Sequence, residues 1–394
     1  MSENRLTVTI VSDLHCHPSN SEFDDTYLKS DLLRSPSLDH PVESLLELIK
    51  KENLTTDLTL CPGDLTNKSN KQGFISGWEF ILEIHRGLNG KELIATLGNH
   101  DLDSFGKNSE YSYEIAKGIK KGFPYQDSND CDRFWSKGCD FIEKENYRVL
   151  VINSSHFHYD KSSASSGKIS DDALEFIQKY LNGNKDNKLF ITLAHHHPID
   201  HSRLKLGEED KIVNSHNLLE ILGKARVDLF IHGHKHDPLL RYHNCLETNY
   251  QIPILSSGSF SSTSNISFSG QRNTFHKIDL VKEGGNFAKG RIKTWSFMPK
   301  SGWKIRHDEE GFHSYTGFGF IGDISLLAKE IIDYVGDKVL VKWLEIEDNS
   351  PDVKYLIPTQ AFELTQILEE NNLIFGGGEL SQVPKYIGNT KNLQ

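Results

Sequence analysis

Short apolar runs recur along the chain, each of strand length and rich in β-branched residues. Residues 6–11, 58–60, 93–97, 147–152, 189–194 and 227–231 are mostly apolar at consecutive positions. That is the pattern of strands buried on both faces between two layers. Between these runs the apolar period lengthens to that of a helix. Residues 42–51, 78–88, 170–181 and 218–225 each carry one apolar stripe, and Ser170 is placed to cap the third. Strand and helix patterns that alternate this way predict an α/β order. Residues 252–255, 274–281 and 291–297 then follow as strands with no helix between them, which predicts an antiparallel continuation of the sheet.

Two stretches interrupt the alternation. Residues 18–39 are polar and acidic, and residues 105–141 are long, polar and aromatic. Long connections in compact domains are often functional, so both are expected to be insertions. Residues 162–166, Ser-Ser-Ala-Ser-Ser, read as a flexible connector. After about residue 311 a Gly- and aromatic-rich connector leads into a second pattern. A helix capped by Asp323, a strand over 339–346 and a helix capped by Thr359 are predicted there. The expected organisation is a large domain over 1–310 and a small α+β C-terminal module over 311–394.

Composition narrows the class. With 394 residues, 37% apolar and 25% charged, the chain is too apolar for disorder and too polar for a membrane protein. No apolar run reaches the length of a spanning helix, and residues 1–5 lead straight into a strand without a signal-peptide pattern. The five cysteines form no C-x-x-C pair. An odd number of free thiols fits a reducing compartment, and a cytoplasmic protein is expected. The net charge of −11 disfavours a general polyanion binder, which needs a basic face. Against 2 methionines stand 19 histidines, and imidazole is the commonest metal ligand.

The histidines are not scattered. Five of the apolar runs end in metal-binding residue types: Asp13 and His15, Asp64, Asn99 and His100, His195 to His197, and His234 with His236. In α/β sheets the carboxyl edge of the strands is where ligands bind. Aspartate oxygen with imidazole nitrogen suits manganese, iron, zinc, nickel or cobalt better than calcium. Two Asp, one Asn and four His can fill two adjacent metal sites with one carboxylate bridging, an arrangement that clamps a phosphoryl group and generates hydroxide at neutral pH. Gly63, Gly98 and Gly233 let the backbone pass close to such a centre.

Asp13-x-His15, Gly63-Asp64, Gly98-Asn99-His100-Asp101, one later histidine and Gly233-His234-x-His236 match in order the signature of the calcineurin-like metallophosphoesterases. The chain resembles that family over roughly residues 6–260. The resemblance implies a four-layer β-sandwich of mixed sheets flanked by helices, with two divalent metal ions, manganese foremost, at one edge. It implies that Asp13, His15 and His236 hold the first ion, that Asp64 bridges, and that Asn99, His196 and His234 hold the second. His100 would protonate the leaving oxygen while a metal-bridging hydroxide attacks phosphorus in line. The fourth block reads His195-His196-His197-Pro198. Counting back from the proline selects His196, with His195 as the alternative. Where some relatives place an Asp three residues after the bridging Asp, this chain has Asn67, which can orient His100 without adding charge.

The motif 98–101 ending in Asp resembles phosphodiesterases of cyclic nucleotides and glycerophosphodiesters, and repair nucleases, more than protein phosphatases. A phosphodiesterase of small nucleotide-like substrates is therefore expected. Two alternatives stand beside it. The run 289–306 holds six Lys or Arg, no acid, and Trp295, Phe297 and Trp303, which could form a groove for single strands. An ordinary strand with a solvated face explains the same run and is preferred. The C-terminal module could instead dock a protein partner or a second copy.

Overall fold

The computed structural model describes residues 3–392 apart from 23, 120–121, 127, 185, 202–207, 264–271, 286 and 307–311. The first half runs β1 (Glu3–Ile10), α1 (Pro41–Glu52), β2 (Leu58–Cys61), α2 (Lys71–Gly87), β3 (Glu92–Ala95), α3 (Glu114–Gly118), α4 (Ser128–Lys137), β4 (Cys139–Glu143) and β5 (Tyr147–Ile152). Next come α5 (Asp171–Gly183), β6 (Leu189–Leu193), α6 (Ser215–Lys224), β7 (Leu229–His232), β8 (Leu239–Asn244) and β9 (Gln251–Ser256). The long strands β10 (Asn273–Glu283) and β11 (Lys289–Met298), with β12 (Gly302–Lys304) and β13 (Tyr315–Phe318), complete the larger part.

Two mixed sheets result. One has the order β12-β11-β10-β1-β2-β3 with β13 added beside β11, and the other has the order β4-β5-β6-β7-β9-β8. Within them β1, β2 and β3 run parallel, as do β5, β6, β7 and β9, while β10 and β11 are antiparallel. The chain thus has the mixed α/β sandwich architecture expected. Strand β6 shows why its run is continuously apolar. Leu189, Ile191 and Leu193 join the core shared with the first sheet, whereas Phe190 joins a second core with Ala173, Ile177 and Leu181 of α5 and Leu218 and Leu222 of α6. Both faces are covered, so period-2 alternation disappears. Ser170 caps α5 by accepting a hydrogen bond from the Ala173 N–H.

The remaining elements are α7 (Ile324–Val335), β14 (Leu340–Lys342), α8 (Trp343–Asn349), α9 (Pro358–Glu370), β15 (Leu373–Gly376) and β16 (Tyr386–Asn389). They enclose a third core that includes Ile331, Trp343, Leu364 and Ile387, closed by an antiparallel sheet of order β14-β16-β15. Three expectations change here. The predicted strand 339–346 stops at Lys342 and continues as α8, because Trp343 and Ile346 share one helical face against the core. The cap of α9 is Ile357 rather than Thr359, with Pro358 in the first helical position, where its missing N–H is harmless. The connector after residue 311 contains β13, which pairs with β11.

The insertions also fold. Within 105–141, Ile115, Phe123 and Phe134 are buried, and Tyr113 donates to the Ser155 carbonyl at 3.0 Å. Within 18–39, Thr26 donates to the Leu14 carbonyl at 2.8 Å and Leu28 is buried, so this segment lies along the loop that follows β1. The serine connector includes one 3-10 turn, Lys161–Ser163, capped by Asp160. Among the described residues no helix is long and apolar enough to cross a membrane.

Candidate metal centre and its surroundings

Residues just past the ends of β1, β2, β3, β6 and β7 meet at one edge of the sandwich. Backbone hydrogen bonds lock the loops together. Asp13 N–H donates to Gly63 O, His15 N–H to Asp64 O and Gly233 N–H to His195 O, all at 3.0–3.1 Å. The turns are tight enough that Asp13, His15, Asp64, His234 and His236 all have left-handed backbones, with φ between 49° and 76°. For non-glycine residues that costs roughly 1 kcal/mol each, the kind of strain held at functional sites. Two glycines permit the close approach. A Cβ on Gly98 would run into the Asp64 carboxylate, and one on Gly233 into that of Asp13.

The ligand atoms form two groups. In the first, the Nε2 atoms of His15 and His236 lie 2.8 Å apart, and Asp13 Oδ1 lies 4.0 Å from His15 Nε2 and 3.5 Å from that of His236. In the second, Asn99 Oδ1 sits 3.1 Å from His195 Nε2 and 3.0 Å from His234 Nδ1. Asp64 joins them, its Oδ2 being 3.5 Å from His15 Nε2 and 3.3 Å from His195 Nε2. Asp13 and Asp64 are both fully buried.

The fourth block is in a different register from the one the proline suggested. His195, not His196, faces Asp64 and Asn99. His196 turns away, its Nδ1 lying 2.8 Å from Ser154 Oγ, which also accepts its backbone N–H. The two rings lie past the end of β6 and are held by different partners, the Pro62 carbonyl for His195 and Ser154 for His196, so only His195 brings a nitrogen to Asp64 and Asn99. His195 Nδ1 lies 3.0 Å from the Pro62 carbonyl, an acceptor that fixes its proton there and aims the Nε2 lone pair at the centre. His234 is set the opposite way. Its Nε2 donates to Asp210 Oδ2 at 3.1 Å, leaving Nδ1 for the centre, and Lys235 holds the same carboxylate at 2.5 Å.

The donor set fits divalent cations. Imidazole nitrogens, two buried carboxylates and one amide oxygen converge there, with few protons to share among them. Charge says the same. Burial alone would lower the His195 pKa, yet the Asp64 carboxylate overrides it and pushes the imidazole up to about 9.

His100 stands beside the first group, its ring centroid 4.7 Å from that of His15, and is half-buried. Its N–H donates to Asp64 Oδ1 at 2.8 Å. Its Nδ1 lies 2.8 Å from Asn67 Oδ1, and Asn67 Nδ2 in turn donates to Asp25 Oδ2 at 2.8 Å. Asp25 also contacts His17 Nε2 at 3.1 Å. The carboxylate missing after Asp64 is therefore supplied behind Asn67 by Asp25, from a segment read as an insertion. No motif spacing marks Asp25, nor Asp210 behind His234. Asp101 does not face the centre. It is buried, and its two oxygens accept the N–H groups of Asp64, Thr66 and Gly98 at 2.8–3.1 Å, so it braces the loops.

The basic run 289–306 is not a groove. Lys289, Arg291 and Lys293 pair with Asp352, Glu347 and Glu52, while Trp295, Phe297 and Trp303 are at most 4% exposed. Cys16 and Cys61 are buried too, and burial pushes the Cys16 thiol up to about 12. That fits small apolar residues at strand ends rather than reactive thiols.

Among known proteins, a calcineurin-like phosphoesterase family profile matches residues 6–238, and a profile named wHTH-Calcineurin_assc matches residues 316–370. No curated protein matches. Similar solved structures include a purple acid phosphatase from yellow lupin, at 16% identity and TM-score 0.46, over 77% of this chain but only 53% of that one. They also include the Vps29 of Entamoeba histolytica complexed with zinc, at 12% identity and TM-score 0.31 over 76% and 96% of the two chains. A third is the phosphopantetheinyl hydrolase of Mycobacterium tuberculosis, at 10% identity and TM-score 0.38 over 64% and 89%. The profile over residues 6–238 covers more than half of the sequence and ends on the motif at 233–236, so the chain belongs to the calcineurin-like phosphoesterase family.

Proposed function

We propose that this phosphoesterase is a phosphodiesterase acting on small nucleotide-like substrates with two manganese ions. The observation that carries the reading is Asp64, shared between two ligand groups, with His100 held beside them by Asn67 and Asp25. Asp13, His15 and His236 would hold one ion, and Asn99, His195 and His234 the other. Bound there, the ions supply Lewis acidity to the phosphoryl oxygens and lower the pKa of water. The chain's own residues do the rest. Asn67 fixes the His100 Nδ1 proton, so Nε2 faces the leaving oxygen and delivers a proton to it. Asp25 stabilises the positive charge on His100 through Asn67. The buried carboxylates and the braced loops keep these groups in place without reorganisation during the reaction.

The C-terminal module over 311–394 favours a protein partner over a duplex. Helix α9 carries no Lys or Arg, and Phe362, Glu363, Gln366, Glu369 and Glu370 are exposed on it. A helix that presents carboxylates repels the phosphate backbone.

The test is a substrate panel with manganese: bis-p-nitrophenyl phosphate, p-nitrophenyl phosphate, cyclic nucleotides and single-stranded DNA. Hydrolysis of diesters that exceeds that of monoesters, and is abolished by Asp64→Ala and His100→Ala, supports the reading. Faster cleavage of DNA than of small diesters overturns it.

A further inference from the structure

We propose that the cavity beside His100 receives the leaving group, and that it selects a leaving alcohol that is itself a nucleotide, carrying a phosphate as well as a flat ring. The proposal rests on the phosphoesterase reading above and adds the substrate class.

The cavity has a volume of about 430 Å³, within the usual range for small-molecule sites. Asn99 and His100 line it at the metal-centre end, so a group that leaves toward His100 departs into it. Its walls combine two chemistries. Leu102, Phe105 and Ala164 supply apolar surface, and Phe105 is 57% exposed, a large ring left open at the mouth. Lys68, Lys107 and Lys161 come from three separate loops and bring three cations to the same cavity. Lys107 and Lys161 have no carboxylate partner among the described residues. In a chain of net charge −11, Lys107 and Lys161 place uncancelled positive charge at one opening.

The one carboxylate lining the cavity, Asp103, commits its oxygens to backbone and hydroxyl donors. Asp103 is buried, and its oxygens accept the N–H groups of Lys107, Asn108 and Ser109 and the Ser109 hydroxyl at 2.6–3.1 Å. Burial alone would raise its pKa, but these hydrogen bonds overcome it and hold the carboxyl below its usual value. Asp103 therefore folds the loop that presents Phe105 and Lys107. Asn108 ties that loop to the Lys68 carbonyl at 3.1 Å and to Ser69 Oγ at 3.0 Å. The backbones of Lys68 and Ser69 are left-handed, with φ of 48° and 55°, so this wall is strained as well as braced. Braced lysines around an exposed ring suit an anion joined to a planar group.

In the reaction, the oxygen of water forms a new bond to phosphorus as the water gives up a proton to bulk solvent, from which His100 is later reprotonated, and the bond from phosphorus to the nucleotide oxygen breaks. That oxygen leaves with the proton from His100. The lysines act on the leaving group's own phosphate, not on the phosphorus under attack.

The test compares two inhibitors of bis-p-nitrophenyl phosphate hydrolysis by the manganese-loaded full chain. Adenosine 5′-monophosphate represents the nucleotide leaving group. Inorganic phosphate reports the metal centre alone. Exposed lysine–phosphate pairs contribute up to about 1 kcal/mol each, so the nucleotide is expected to bind about tenfold or more tighter than phosphate. Lys107→Glu and Lys161→Glu should each collapse that ratio, and raising salt from 0.1 to 1 M should shrink it, because screening shortens from about 10 Å to 3 Å. Equal inhibition by the two compounds, or a ratio unmoved by both charge reversals, overturns the proposal. If no diester is hydrolysed, the phosphodiesterase reading fails on its own. The same ratio is then read by calorimetric titration, where loss of the nucleotide preference in the two variants supports the cavity's role and equal binding of the two compounds refutes it.

Discussion

Replacing His195 and His196 in turn separates a metal ligand from a core residue. His195→Ala removes the imidazole whose Nε2 lies 3.3 Å from Asp64 and 3.1 Å from Asn99. Loss of a residue that only supports a ligand costs 10–100-fold in metal affinity, so loss of a ligand should cost about 100-fold or more. With manganese at 100 times the wild-type Kd, binding stabilises the wild type by about 2.7 kcal/mol, whereas a 100-fold weaker site gains only about 0.4 kcal/mol. The difference of about 2.3 kcal/mol is a melting shift of roughly 3–4 °C in a domain of about 310 residues. His196→Ala should do the reverse. That side chain is fully buried, so the metal-free protein should lose about 2–3 kcal/mol to the cavity, while its gain from manganese stays within about 0.5 kcal/mol of the wild type's. Calorimetric melts with and without manganese give both numbers for each variant. A His195→Ala protein that keeps the full metal-dependent shift, together with a His196→Ala protein that loses it, would refute this assignment of the ligand.

Asp25→Asn should slow hydrolysis about tenfold for an alkyl leaving group and less for p-nitrophenolate, which needs little help from an acid. Combined with Asn67→Ala the loss should fall short of the product of the two single effects, because both act through one chain; a fully multiplicative double variant would break that link. The buried His276 is held neutral, with Nε2 donating to Ser257 O and Nδ1 accepting from Thr294, and burial lowers its pKa to about 4. Its folded value lies below the unfolded one, so the unfolded chain binds the proton first. Stability should fall as pH drops from about 6.5 toward 4, by at most about 3 kcal/mol from this residue, and His276→Gln melts should show a flatter acid limb. Helix α9 predicts that a 20-base-pair duplex is not retained at micromolar protein in 0.1 M salt, as a gel shift would show.

The continuous apolar runs were sufficient to place the strands, because a strand covered on both faces has to be apolar at every position. The order of the motifs was sufficient to bring Asp13, His15, Asp64, Asn99, His100, His234 and His236 to one edge, since each follows a strand of a sheet that ends there. Three things required the tertiary structure. The choice between His195 and His196 depends on the partners that packing gives each ring beyond the end of β6, the Pro62 carbonyl for one and Ser154 for the other. Asp25 reaches Asn67, and through it His100, across 42 residues of chain, and Asp210 reaches His234 across 24, with no fixed spacing and through contacts that only packing creates. The basic aromatic run at 289–306 shows the limit most clearly. Its composition suits a stacking groove, yet the fold turns its aromatic rings into the core and gives three of its six cations to Asp352, Glu347 and Glu52. Composition records which groups a chain carries, but only the fold decides whether they face water, a ligand or one another.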